Sequence, residues 1–152
     1  MFKPQSLGTE VGHASAFKMA FAGFNKGLVA LFLSVADAGS VAGAAAELLA
    51  CLRDFYPGTI ETLERLLPSY PRHAGRRADE MDELARWLAS EDRDPGLAGA
   101  ARDVLARLAS LGLDVEQEWT MAAVLTAWGT AARAGASSPG DDGGGASEGV
   151  KP

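Results

Sequence analysis

The sequence predicts an all-α domain of about six helices, and three observations carry that prediction. Alanine and leucine dominate the 152 residues while β-branched residues are sparse, which favours helix over strand. Apolar residues recur at three- and four-residue spacing, as in Phe17, Phe21, Phe24 and Leu28. Glycine, proline and capping residues separate those runs. The length suits one domain with a single core, and 47% hydrophobic with 22% charged residues is an ordinary globular composition.

Residues 1–12 carry Pro4, Gly8 and Gly12 and read as an irregular lead-in or the remnant of a domain junction. The first helix is expected over residues 13–38, with Gly39 as its stop. Ser40 is placed to cap a second helix reaching Phe55, ended by Pro57-Gly58. Thr59 is placed to cap a short third helix through Leu67, just before Pro68. The fourth runs from about Arg72 to Ala89, striped by Met81, Leu84 and Leu88 with Trp87 beside it. Asp94-Pro95 opens the fifth, an N-cap followed by proline in the first turn, and Leu97, Ala101, Val104, Leu105, Leu108 and Leu111 line one side. Gly112 suits the left-handed position after its end. Asp114, with Gln117 three residues on, reads as a capping box for a sixth helix to about Ala132. The helical domain is thus expected over residues 13–133. Residues 134–152, rich in Gly, Ser and Asp, bury too little apolar area to offset ordering entropy and read as a disordered tail.

The formal net charge of -6 disfavours binding to nucleic-acid phosphates. Cys51 is the only cysteine, so no internal disulfide and no cysteine-based zinc site is expected; it reads as packing beside Leu48, Leu49 and Leu52. His13 and His73 lack metal-like spacing, so no metal site is expected. Residues 1–10 lack a signal-peptide pattern, and the longest apolar run, residues 27–36, is shorter than the ~20 residues of a membrane helix. These features point to a cytoplasmic protein without a membrane partner. The basic run Arg72 to Arg77 has the guanidinium groups to clamp an oxyanion, but pairing with Asp79, Glu80 and Glu83 along one helix explains it better. Trp87, Trp119 and Trp128 read as core or interface.

Lys18 is the feature with chemical content. It sits in a strongly apolar helix with no acidic residue between Glu10 and Asp37. A helix apolar around most of its circumference is normally buried on several sides. Burial of a lone ammonium favours the neutral amine, which suits a general base. Spacing alone is better explained by snorkelling, the stem on the core and the head in water. Asn25 lies seven residues on, on nearly the same face.

The run GHASAFKMAFAGFNKGLVAL, residues 12–31, resembles the start of the C-terminal helical domain of the β-hydroxyacid dehydrogenase superfamily, which contains 6-phosphogluconate and 3-hydroxyisobutyrate dehydrogenases. The shared pattern is Gly12, Ala14-Ser15-Ala16, Lys18-Met19 and Lys26-Gly27. It is most similar to a branch named for a phosphogluconate dehydrogenase C-terminal domain of unknown function. GRRADEMDELARWLAS, residues 75–90, and the Leu/Ala-rich helix after Asp94 also resemble that branch. The likeness covers roughly residues 11–111.

The resemblance implies that Lys18 is the catalytic lysine, which takes the substrate hydroxyl proton as hydride leaves to NAD or NADP. It places Ser15, Asn25 and Lys26 as substrate-binding candidates for a small hydroxy acid. It also implies a homodimer formed through this domain. In 6-phosphogluconate dehydrogenase the lysine is followed by His and Asn, then by an acid and a phosphate-binding tyrosine. The matching positions here hold Phe21, Ala22, Asn25 and Lys26, so decarboxylation of 6-phosphogluconate is not expected. The helix that carries a cofactor-facing lysine in relatives has Glu80 at that place.

No G-x-G-x-x-G turn between a strand and a helix occurs in the sequence; GSVAG, residues 39–43, has the wrong spacing and follows a helix. The expectation is therefore that this chain alone binds no cofactor, and that NAD or NADP requires a Rossmann domain supplied by another segment or a separate partner chain. The alternative is a non-catalytic helical interaction module, in which the former active-site helix serves only packing.

Overall fold

The computed structural model describes residues 12–136, with side chains to residue 131. Six α-helices and one 3-10 turn make up the described chain: α1 (His13–Val41), α2 (Ala45–Phe55), α3 (Pro57–Leu66), the 3-10 turn (Leu67–Ser69), α4 (Tyr70–Ser90), α5 (Gly96–Ser110) and α6 (Met121–Ala136). The all-α prediction holds. The lead-in over residues 1–11 and the tail beyond residue 136 lie outside the described residues, and α6 continues through residues 134–136, which the tail was expected to include.

α1 organises the molecule. It packs against α2, α4, α5 and α6, while α4 and α5 form the most extensive helix pair. The core is one cluster: Val29, Ala30, Phe32 and Leu33 of α1 meet Ile60 and Leu63, Tyr70 and Met81, Leu105 and Leu108, and Val124 and Trp128. Trp128 is the largest fully buried side chain. Its indole Nε1 donates to the Leu33 carbonyl at 3.1 Å, which ties α6 to α1. The Arg107 guanidinium covers the Trp128 ring at 3.9 Å and holds Asp37 of α1 at 2.6 Å.

The helix ends differ from expectation in instructive ways. Gly39 does not stop α1. It is buried where α2 crosses, and a Cβ there would lie 2.8 Å from Leu48 Cδ2 and 3.3 Å from Ala45 Cα. The break comes at Gly43, whose φ of +69° is left-handed. Ser40 therefore lies inside α1, and α2 begins without a side-chain cap. Thr59 also lies inside its helix, because Pro57 occupies the first turn of α3, where its missing N–H costs nothing.

Asp94 behaves nearly as expected: its carboxylate accepts the Gly96 N–H at 2.7 Å at the start of α5. Gly112 is left-handed, at φ +59°. Asp114 caps a turn rather than a helix, accepting the Glu116 N–H at 2.9 Å while its carbonyl accepts Trp119 Nε1 at 2.8 Å. The cap of α6 is Thr120, whose hydroxyl accepts the Ala123 N–H at 3.2 Å. Cys51 is exposed rather than packed.

α1 spans 29 residues and is long and apolar enough, by length and composition, to cross a membrane; counting only its longest unbroken apolar run missed this. Here its inner face is core, and it buries a charged residue against α4, as the core helix of a folded domain does.

Candidate functional site

The polar groups of α1 divide by face. At 100° per residue, Lys18 and Asn25 lie on one side, about 10 Å apart along the axis, while Lys26 is turned about 80° from Lys18. Lys18 is exposed, so the dry environment expected for its amine is absent within the described chain. Ser15 is exposed in the first turn and caps nothing; Gly12, at φ +99°, occupies the residue before the helix. Asn25 is half-buried. Its carbonyl accepts a long bond of 3.4 Å from the Tyr70 hydroxyl.

Lys26 is the buried lysine, 7% exposed. Its Nζ lies 2.8 Å from Glu80 Oε2 and donates to the Ala22 carbonyl at 3.3 Å. Arg76 Nε stands 3.7 Å from the other carboxylate oxygen of Glu80. Burial alone would raise the Glu80 pKa, but the Lys26 hydrogen bond and the charges of Lys26, Arg76 and Arg77 outweigh it and hold the carboxyl below its ordinary value. Arg77 lies over the Tyr70 ring at 3.7 Å and donates to Ser69 Oγ at 3.0 Å. Burial pushes the Tyr70 hydroxyl pKa up, opposed by Arg77.

The result is one polar cluster across the α1–α4 seam, in which cations outnumber the single carboxylate. Of the basic run, only Arg76 makes the expected pair along the helix. Arg72 instead donates to the Val115 carbonyl at 3.0 and 2.8 Å, pinning the α5–α6 connection. The structure thus brings Lys26 to Glu80, reaches Asn25 only through its backbone carbonyl, and leaves Lys18 and Ser15 outside that cluster. Nothing local in the sequence signals the Lys26–Glu80 tie, since its members stand 54 residues apart.

The outer side of α1 carries a second feature. Phe17, Phe21, Phe24, Leu28, Leu31 and Val35 follow a 4-3-4-3-4 spacing, a heptad-like seam. Phe24 and Leu31 are 69% and 61% exposed, and Phe17 and Phe21 about half; the last two rings stack at 6.3 Å. Lys18 and Asn25 border this seam. Beside its C-terminal half lies an apolar groove of about 220 Å³ between α1, α2 and α3, walled by Leu52, Tyr56, Thr59, Ile60 and Leu63. A larger cavity of about 340 Å³ between α1, α2 and α6 is lined by Phe32, Leu49, Leu125 and Trp128, with only the Ser40 and Thr126 hydroxyls for polarity. Neither cavity is lined by a carboxylate, an amine, an imidazole or a thiol.

Among the described residues there is no strand, so no strand–turn–helix dinucleotide site is formed there. A search of the curated proteins finds no match to this chain. Residues 40–108, from the end of α1 through most of α5, match the model of a family described as a domain of unknown function (DUF1932).

Proposed function

We propose that this chain is the helical substrate-binding and dimerisation half of a β-hydroxyacid dehydrogenase-like oxidoreductase acting on a small hydroxy acid in the cytoplasm. The single observation that carries this reading is the position of Lys18 on the border of an exposed aromatic seam. A seam of that size is covered in use, and covering it takes water from Lys18 and favours the neutral amine that a base requires. The resemblance of residues 12–31 to the lysine-bearing helix of that superfamily supports it, as does the match of the following helices to the domain family.

In this reading Lys18 takes the proton of the substrate hydroxyl and Asn25, on the same side, orients the substrate, while Lys26, paired with Glu80, holds α1 against α4. Ser15, one turn before Lys18, borders the mouth. The described residues offer no fit for NAD or NADP, so nicotinamide binding and the redox half of the reaction belong to a Rossmann domain in another segment or chain.

The test is reconstitution of the chain with such a domain, encoded in the same or a neighbouring reading frame, and assay against a panel of 3-hydroxy acids. Lys18→Met is expected to lower kcat/KM by about 10³ or more while the oligomer is retained. Turnover that Lys18→Met leaves unchanged would overturn the assignment.

The exposure of Lys18 also favours a second reading, a non-catalytic helical interaction module. Under it, Lys18→Met raises stability and changes no ligand binding; loss of hydroxy-acid binding in that variant decides against it.

A further inference from the structure

The cavity of about 340 Å³ lies at the far end of α1 from Lys18. Ser40, on its wall, stands about 33 Å along the helix axis from that lysine. Small residues on three helices leave the space: Ala36 of α1, Ala45 of α2, and Ala122 and Gly129 of α6. We infer that this cavity takes a neutral, hydrocarbon-like molecule of about ten to fourteen non-hydrogen atoms bearing a single hydroxyl. This site is separate from the one proposed above and does not rest on it.

The size follows from volume. An apolar cavity of about 150 Å³ holds benzene, which is about 25 Å³ for each carbon. On that scale 340 Å³ accommodates about fourteen atoms and falls within the range of small-molecule sites. The neutrality follows from charge. No lysine, arginine, histidine or carboxylate lines the cavity, so a charged ligand would enter without a partner for its charge.

The hydroxyl follows from the two polar side chains. Ser40 Oγ makes no hydrogen bond among the described residues, so it is open both to donate and to accept. Thr126 Oγ1 already donates to the Ala122 carbonyl at 3.0 Å and is left with lone pairs to accept. Trp128 commits its N–H to the Leu33 carbonyl and offers the cavity no donor. A ligand hydroxyl can accept from Ser40 and donate to Thr126, whereas a pure hydrocarbon leaves both unused. One wall is rigid, built on the buried Phe32 and Trp128, and the other is α2, which buries none of its own residues. Entry therefore needs only a small displacement of α2.

Titration of the full chain with 2-naphthol at neutral pH tests the site, with naphthalene and 2-naphthoate as matched probes. Saturable binding of 2-naphthol with Kd below about 1 mM is expected, and 2-naphthoate about 10-fold weaker or worse. In nitrogen–proton correlation spectra the indole signal of Trp128 and the amides of α2 are expected to shift, with the indoles of Trp87 and Trp119 unmoved. Ser40→Ala is expected to weaken 2-naphthol by about 3–10-fold and leave naphthalene within about 2-fold. Ala36→Phe, which fills the cavity, is expected to abolish both; should that variant unfold, Ser40→Ala, which removes one oxygen, decides. Absence of saturable binding to about 5 mM overturns the site, including the case in which light scattering shows a second copy seated there that Ala36→Phe releases. Equal weakening of both neutral probes by Ser40→Ala, or 2-naphthoate binding as tightly as 2-naphthol, overturns the ligand class.

Discussion

The two halves of α1 are built from the same residue types and meet opposite fates. Val29, Ala30, Phe32 and Leu33 are buried among α3, α4, α5 and α6, whereas Phe17, Phe21 and Phe24 stand half or more exposed. The two lysines invert the same way: Lys18, in the apolar half, is in water, and Lys26, next to the junction, is buried. Apolarity in a helix announces that something covers it, but neighbours decide whether that cover is the same chain. For a lysine the deciding neighbour is an acid. Lys26 has Glu80, and no carboxylate lies within ion-pair reach of Lys18 among the described contacts.

Four substitutions test this contrast. Leu33→Ala, in the covered half, is expected to cost about 2–5 kcal/mol, a deletion at a site with no exposure. Chemical denaturation measures it, and a loss under 1 kcal/mol would mean that the C-terminal half is not core. Gly39→Ala comes next. The helix gains up to about 1 kcal/mol in propensity, but the new methyl meets Leu48 and the Ala45 backbone. Overpacking of about 1–3 kcal/mol outweighs that gain and leaves a net loss near 1 kcal/mol, read as a lower thermal midpoint.

The junction itself is probed by pH. Glu80 has a depressed folded pKa, so its contribution is present above the ordinary glutamate value and is lost as pH falls through the folded one. Because the carboxylate is partly in water, the effect is expected to be below about 1 kcal/mol. Glu80→Gln should therefore differ from the parent at pH 7 and converge with it in acid; a constant difference across that range would detach the stability from the charge. The smallest stability effect falls on the exposed half. Phe24→Ser is expected to change the denaturation free energy by less than about 0.5 kcal/mol, and under the proposed dimerisation to lower the mass by light scattering.

These contrasts also mark how far the sequence was readable. Helical periods and the Gly and Pro punctuation are local, so the six helices were legible, as were Asp94 and Gly112. Gly39 misled because a glycine that admits a crossing helix looks, in one dimension, like a terminator. Asp114 misled because a carboxylate accepts from a turn as readily as from a helix end, and Thr120 gave the quieter signal. Lys18 drew attention through its lack of nearby acids, a local property. The burial of Lys26 depends on a carboxylate from α4, which local spacing cannot reveal. The resemblance drew attention to Lys18 on α1, whereas the structure leaves that side chain exposed.

α2 is the most lightly held of the helices that pack on α1. It contains no buried residue and leans mainly on α1 and α3, with Gly39 set close against Leu48 and Ala45. An element held this lightly opens on its own, well before global unfolding. Its amides should exchange with deuterium ahead of those of α4 and α5, so the walls that α2 lends to both cavities breathe on a faster clock than the scaffold behind them.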